Sequence, residues 1–249
     1  MSGHSKWHSI RFKKGIADAK RGKIFTKHAK LITIAARDGG GDPDMNPGLR
    51  TAIENAKAAN MPNNNIDRAI KKGTGDGKDS IQILEVVYEG YGPGGTALMI
   101  QSLTENKNRT VANIKHLMTK NGGNMGETGS VGYLFDRKGV IVMNIDDKDP
   151  EEAELAAIDA GADDIEIDGG IFTVYTVPSD LMKVKENLTG AGFKVESANL
   201  AFVSKNTVKV DDEDLAKKVL KLVDALEDDE DVGEVYSNFD IDEEIMKLI

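Results

Sequence analysis

The chain has 249 residues, a formal net charge of −10 and no cysteine, so disulfides, thiolate metal sites and cysteine nucleophiles are excluded. Hydrophobic residues make up 39%, enough for buried cores in one or two domains. No apolar run approaches the ~18 residues of a membrane span, and the N-terminus lacks the apolar core of a secretory signal. Two early glycines, Trp7 and the lack of a clean amphipathic period before Gly22 argue against a transit peptide, so a cytoplasmic location is expected.

The charge is segregated along the chain. Residues 1–78 carry 16 basic against 7 acidic groups, net +9, and residues 79–249 carry 16 against 35, net −19. The first thirty residues are the extreme case: nine Lys/Arg (Lys6, Arg11, Lys13, Lys14, Lys20, Arg21, Lys23, Lys27, Lys30) face the single acid Asp18. Such a local excess on an acidic protein points to a polyanion, with the acidic remainder facing away from it or meeting protein.

In chain order, Lys23 to Arg37 has helical spacing. Ile24, Phe25, His28, Leu31, Ile32, Ala35 and Ala36 fall on one side, and Lys23, Lys27, Lys30 and Arg37 on the other. The glycines at 39–41 end this helix. Asn46-Pro47 opens a second helix with Leu49, Ala52, Ile53, Ala56 and Ala59 inward, and Pro62 opens a third with Ile66, Ala69 and Ile70 inward, closed by Gly73. Residues 22–73 therefore read as a small helical bundle. The stretch Gly73 to Asp79 has three glycines in seven residues but lacks the Walker pattern, with Lys72 where a glycine is needed and Asp79 where Ser/Thr is needed. It reads as a flexible linker.

Beyond it the periodicity predicts strands at Ile81 to Tyr88 and Ala97 to Leu103 around a turn at Tyr91 to Gly95, a helix at Thr110 to Lys120 and a strand at Val131 to Phe135. A complete βαββαβ unit follows: strand Val140 to Ile145, helix Glu151 to Ala160, strands at Ile165 to Ile167 and Ile171 to Val177, helix Asp180 to Leu188, strand Phe193 to Val203. Asp149-Pro150 and Ser179 suit helix starts, Gly161 and Gly190 helix ends, and Gly169-Gly170 a two-residue hairpin. Strand Thr207 to Val210, helix Leu215 to Leu226 and strand Glu234 to Phe239 close the chain and complete a second such unit preceded by one extra strand. The expected fold is α+β, an N-terminal helical bundle plus two ferredoxin-like α+β domains, one inserted in the other. The boundaries are 1–78, then 79–136 with 205–249 as a discontinuous domain, and 137–204 as the insert.

Catalytic constellations are scarce. His4 and His8 stand four apart without a third metal ligand, His28 lies on a packed face, and the acidic runs Asp211 to Asp214 and Glu227 to Asp231 lack the Ca²⁺-loop pattern. No metal, cofactor, small-molecule substrate or catalytic residue is expected. A second anion site is open at Asn106, Lys107, Asn108 and Arg109, which lead into a helix and suit a phosphate or an acidic side chain; a capped, hydrated helix start explains them equally well. Tyr88 and Tyr91 read better as core tyrosine and tight turn than as a stacking surface.

Ser2-Gly3-His4-Ser5-Lys6-Trp7-His8-Ser9-Ile10 with Lys13-Lys14, Gly22 to Lys27, Tyr88-Glu89-Gly90-Tyr91-Gly92-Pro93-Gly94-Gly95 and Asn106-Lys107-Asn108-Arg109-Thr110 closely resemble the YebC/PmpR family over essentially the whole chain. The resemblance implies an N-terminal helical domain, two α+β domains and a cytoplasmic, non-enzymatic regulator of gene expression. Bacterial members are described as DNA-binding transcriptional regulators; mitochondrial relatives are translational activators, and ribosomal association is the neighbouring reading.

The residues themselves give a polyanion partner without naming it; taken with the resemblance, the expectation is a nucleic-acid-binding protein gripping DNA or ribosomal RNA through Lys6, Trp7, Arg11, Lys13, Lys14, Lys20, Arg21, Lys23, Lys27 and Lys30. No helix-turn-helix with base-reading side chains is evident, and a Gly-interrupted aromatic arm suits structured RNA as well as duplex backbone. The competing expectation is an adaptor whose acidic domains dock the ribosome or other basic proteins. It requires ion pairs between the first thirty residues and the acidic clusters.

Overall fold

Three helices open the computed structural model, which describes residues 18–75, 82–145, 149–168 and 171–248, with backbone alone at 18–21, 168, 243 and 247. They are α1 (Asp18–Gly39), α2 (Pro47–Ala58) and α3 (Asn63–Gly73). Within the described residues helix α1 already runs from Asp18, five residues before the predicted start, so a polar stretch extends a helix whose apolar spacing begins only at Ile24, and Gly22 is carried within it. Asn46 is buried and does two jobs. Its Oδ1 accepts the Leu49 N–H at 3.0 Å, capping α2, and its Nδ2 donates to Ala35 O and Gly40 O at 2.8 and 2.9 Å, tying off the end of α1. Gly73 stands inside α3 rather than in a left-handed cap. A Cβ there would meet the Thr33 carbonyl at 2.4 Å and the Ala36 Cβ at 2.8 Å, so the glycine is what lets α1 and α3 pack closely.

The chain forms two compact units, each assembled from separate stretches: Met1–Lys30 with Ile81–Asp136 and Val203–Ile249, and Leu31–Ser80 with Arg137–Phe202. In the first, strands β1 (Leu84–Tyr91), β2 (Ala97–Thr104), β3 (Asn124–Met125) and β9 (Val232–Ser237) make a sheet of order β3-β1-β2-β9, and β1 is antiparallel to β2 and β3. Helices α4 (Lys107–Lys120) and α7 (Glu213–Glu227) pack Ile114, Met118, Val219, Leu222 and Leu226 against Leu98, Ile100 and Val235 of this sheet. Each such fully buried side chain is worth about 1.5–3 kcal/mol over an exposed one.

This sheet has the order and directions of a ferredoxin-like sheet with altered threading. The strand read as extra, β1, occupies a central slot. The strand β8 (Val208–Val210), which was expected in the sheet, pairs in parallel with β10 (Phe239–Ile241) instead. Residues 131–135, read as a strand, form a 3₁₀ turn at Gly132–Leu134 leading into β4 (Phe135–Asn144), and the short strand after α4 is β3. A short helix, α8 (Glu243–Leu248), ends the described chain.

In the second unit β4, α5 (Pro150–Ala160), β5 (Asp164–Asp168), β6 (Ile171–Thr176), α6 (Leu181–Gly190) and β7 (Val195–Ser204) give the sheet order β5-β6-β4-β7, that of the expected βαββαβ unit. Its core joins Ile141, Met143, Phe172 and Val174 to Ala153, Ala157, Val184 and Leu188. Asp149 caps α5 through the Glu151 N–H, and Gly161 ends it at φ +103°. At α6 the punctuation shifts. Ser179 bonds Asp180 rather than capping, Gly190 is helical, and the left-handed residue is Gly192 at φ +83°. The hairpin glycines Gly169-Gly170 and linker residues 76–79 lie outside the described residues.

Candidate nucleic-acid interface

Lys6, Trp7, Arg11, Lys13 and Lys14, with His4 and His8, lie outside the described residues, and Lys20 and Arg21 are described only as backbone in the first turns of α1. Lys23, Lys27 and Lys30 follow at intervals of four and three residues along α1, and all three reach the C-terminal end of α7. Lys23 Nζ donates to Asp228 O at 2.9 Å and Oδ1 at 3.3 Å, and Lys27 Nζ to Glu227 O at 2.9 Å. Lys30 Nζ donates to Leu103 O and Glu230 O, both at 2.8 Å, and to Asp231 Oδ1 at 3.1 Å.

The chemistry follows from the helix end. The last carbonyls of α7 have no intrahelical donor, they carry the negative end of the dipole, and the run Glu227 to Asp231 adds five carboxylates. An ammonium, with three donors and one charge, satisfies several of these oxygens at once.

Asp231 is the centre of this docking. Its side chain is 6% exposed; Oδ1 accepts from Lys30, while Oδ2 accepts from Arg109 Nη2 at 2.7 Å and Thr110 Oγ1 at 2.9 Å. A register shift between Gln101 and Ser102 lets the Asp231 carbonyl accept the Leu103 N–H at 2.7 Å. Burial raises the carboxyl's pKa, but the hydrogen bonds from Arg109, Lys30 and Thr110 outweigh it and hold the group below its usual value. Of the second anion site, then, Arg109 is paired with a carboxylate of the chain itself. Asn106 caps α4 by accepting the Arg109 N–H at 3.1 Å, and its own N–H bonds Thr104 Oγ1. Lys107 and Asn108 are exposed.

His28 is half-buried on α1, where burial lowers its pKa and Glu234 opposes the shift. The unfolded chain therefore takes up this proton first, and the imidazole costs stability as pH falls below about 6.5 toward its folded value. Urea unfolding should show stability falling across that window, and His28→Gln should flatten the slope there.

Glu89, in the Tyr88 to Gly95 motif, is a second anchored carboxylate that sequence reasoning did not single out. It is 8% exposed and accepts the N–H groups of Gly129, Val131 and Gly132 at 2.7 to 2.8 Å. Burial pushes its pKa up, and the three N–H bonds bring it net below the ordinary value. Tyr91 adds a bond to Ser130 O, so both residues hold the loop before β4. Glu89→Gln should destabilise this unit by about 2 kcal/mol, because an amide NH₂ then faces a backbone N–H; denaturant midpoints check this.

A further basic row lies on α3. Asn64, Arg68, Lys71 and Lys72 are exposed and share one side at helical spacing, opposite buried Ile66 and Ala69. The signal was present in the sequence as three cations at intervals of three and four. It is a weaker signal than the nine cations of the first thirty residues.

Known proteins match the chain throughout. The family model described as "TACO1/YebC protein N-terminal domain" matches residues 5–76, and "TACO1/YebC second and third domain" matches residues 83–239. A protein of Halothermothrix orenii is 53% identical over 100% of this chain and 99% of its own, and one of Persephonella marina 51% identical over the whole of both; each is named "Probable transcriptional regulatory protein". The crystal structure of a conserved hypothetical protein from Aquifex aeolicus has the same fold, with a TM-score of 0.86 and 48% identity, covering 92% of this chain and 94% of that one.

Proposed function

The chain belongs to the TACO1/YebC family, and on that premise we propose that it is a non-enzymatic, cytoplasmic regulator of gene expression that binds nucleic acid through Lys6, Trp7, Arg11, Lys13, Lys14, Lys20 and Arg21. The observation that carries this reading is the net +5 of residues 1–21, six Lys/Arg against the single acid Asp18, on a chain of −10. The regulatory names of its relatives support it. Lys23, Lys27 and Lys30 are here assigned to seating α1 on the end of α7, since their ammonium groups already meet carbonyl and carboxylate oxygens. None of the described helices is long and apolar enough to cross a membrane.

The adaptor reading has an observation of its own. Ion pairs between the basic stretch and the acidic run exist, Lys23 to Asp228 and Lys30 to Asp231. Crosslinking in cells, followed by sequencing of whatever nucleic acid remains attached at physiological salt, separates the readings. Promoter DNA or ribosomal RNA above background supports the regulator and names its target class. Recovery of neither would sink it in favour of the adaptor.

A further inference from the structure

Helix α5 is apolar on both sides. Its inner side, Ala153, Ala157 and Ala160, is buried in the core of its unit. Its outer side carries Leu155 and Ile158, 65% and 56% exposed and one turn apart. A helix packed on a sheet needs one apolar stripe, so two large aliphatic chains on the opposite side call for a second account.

The surroundings of that pair select its occupant. After Pro150, the other exposed side chains of the helix, Glu151, Glu152, Glu154 and Asp159, are all acidic. Stepped at ~100° per residue, Glu154 flanks the aliphatic pair on one side and Glu152 and Asp159 on the other, with Glu151 in line at the N-terminal end. Among the described residues none of these four carboxylates is in an ion pair. Residues 149–168 contain nine Asp/Glu and no Lys or Arg. A second copy is a poor occupant, because two-fold pairing of this side brings four carboxylates from each copy together without a cation. Nucleic acid is repelled by the same charge. What fits is apolar at its centre and cationic at its rim.

We propose that the Leu155/Ile158 side of α5 is a docking surface for a lysine- or arginine-rich amphipathic segment of another protein. The partner's aliphatic side chains cover Leu155 and Ile158, and its cations lie over Glu151, Glu152, Glu154 and Asp159. The apolar contact supplies area removed from water, and the ring of carboxylates steers the approach and selects partners by charge.

The test uses the full chain and a synthetic peptide of about four helical turns, with Leu at helical spacing and Lys elsewhere. A scrambled peptide of the same composition and a version with Glu for Lys serve as counter-probes. Fluorescence anisotropy should show binding of the amphipathic cationic peptide alone, and ¹⁵N chemical-shift changes should centre on residues 150–160. Leu155→Asp with Ile158→Asp, and separately Glu152→Lys with Glu154→Lys, should each weaken binding about tenfold or more. Both pairs are surface positions, so the thermal midpoint should stay within a few degrees and serve as the folding control. Equal binding of the scrambled peptide, shifts centred elsewhere, or undiminished binding by Leu155→Asp/Ile158→Asp would overturn the proposal. So would concentration-dependent self-association abolished by that same pair, which would make the occupant a second copy.

Discussion

Replacing Asp231 by alanine is expected to destabilise the unit that contains it by about 3 kcal/mol, the largest single-residue effect outside the apolar cores. The side chain is 6% exposed and receives Lys30, Arg109 and Thr110. Removing one partner of a buried ionic cluster costs about 3–5 kcal/mol, because the remaining charge is left without a counterion. The lower end applies here: Arg109 is 56% exposed and can be rehydrated, whereas Lys30, at 15%, cannot move out without undocking α1. Asp231→Asn keeps the shape and part of the hydrogen bonding and should fall between the wild type and alanine.

The same network fixes the pH response. A carboxyl whose folded pKa lies below its unfolded value stabilises above the ordinary carboxylate range and loses that contribution as pH falls through the folded value. Asp231 and Glu89 are both of this kind. Acid unfolding of this unit should therefore begin below about pH 4, and Asp231→Asn should make the slope there shallower. Hydrogen exchange provides a local readout: in Asp231→Ala, amides in residues 23–30 should lose protection more than those of β5 and β6. Unchanged protection at residues 23–30 would show that Lys23 and Lys27 seat the helix without Lys30 and Asp231.

Much of the fold was legible because its elements obey local rules. Asn46-Pro47 and Asp149-Pro150 open helices by capping chemistry contained in a few residues, and the βαββαβ order of residues 135–204 follows from periodicity and punctuation. The failures lie where pairing is non-local. Nothing near Val208 says that it will pair with Phe239, and nothing near Leu84 says that β1 will take a central slot, because strand order is decided by the assembled core. The same distinction holds for the site. A row of lysines on α1 was visible as spacing. Its destination, some two hundred residues away at the end of α7, was not, although the acidic run Glu227 to Asp231 is the matching half. Asp231 and Glu89 were missed because an acid buried by its partners looks in sequence like any surface acid.

That destination sharpens the expected salt dependence of nucleic-acid binding. Each phosphate neutralised on a duplex contributes about −0.9 to the slope of log affinity against log salt, and about −0.7 on a single strand. Changing Lys6, Arg11, Lys13 and Lys14 together to alanine should therefore make the slope shallower by about 3.6 on duplex DNA or about 2.8 on a single strand, and should lower duplex affinity near 0.15 M salt by about three decades. Lys23→Ala with Lys27→Ala should leave the slope nearly unchanged and instead weaken protection of residues 23–30, because these cations face the oxygens of Asp228 and Glu227. Lys23 is 40% exposed, so its pair with Asp228 contributes little to stability and the double variant should remain folded. Filter binding of both variants from ~0.05 to 0.5 M salt reads the two slopes directly. If the terminal variant keeps the wild-type slope while the helical one loses about two phosphates' worth, α1 leaves α7 to bind and the assignment of its lysines to docking fails. If neither slope moves, the basic end is not the nucleic-acid contact.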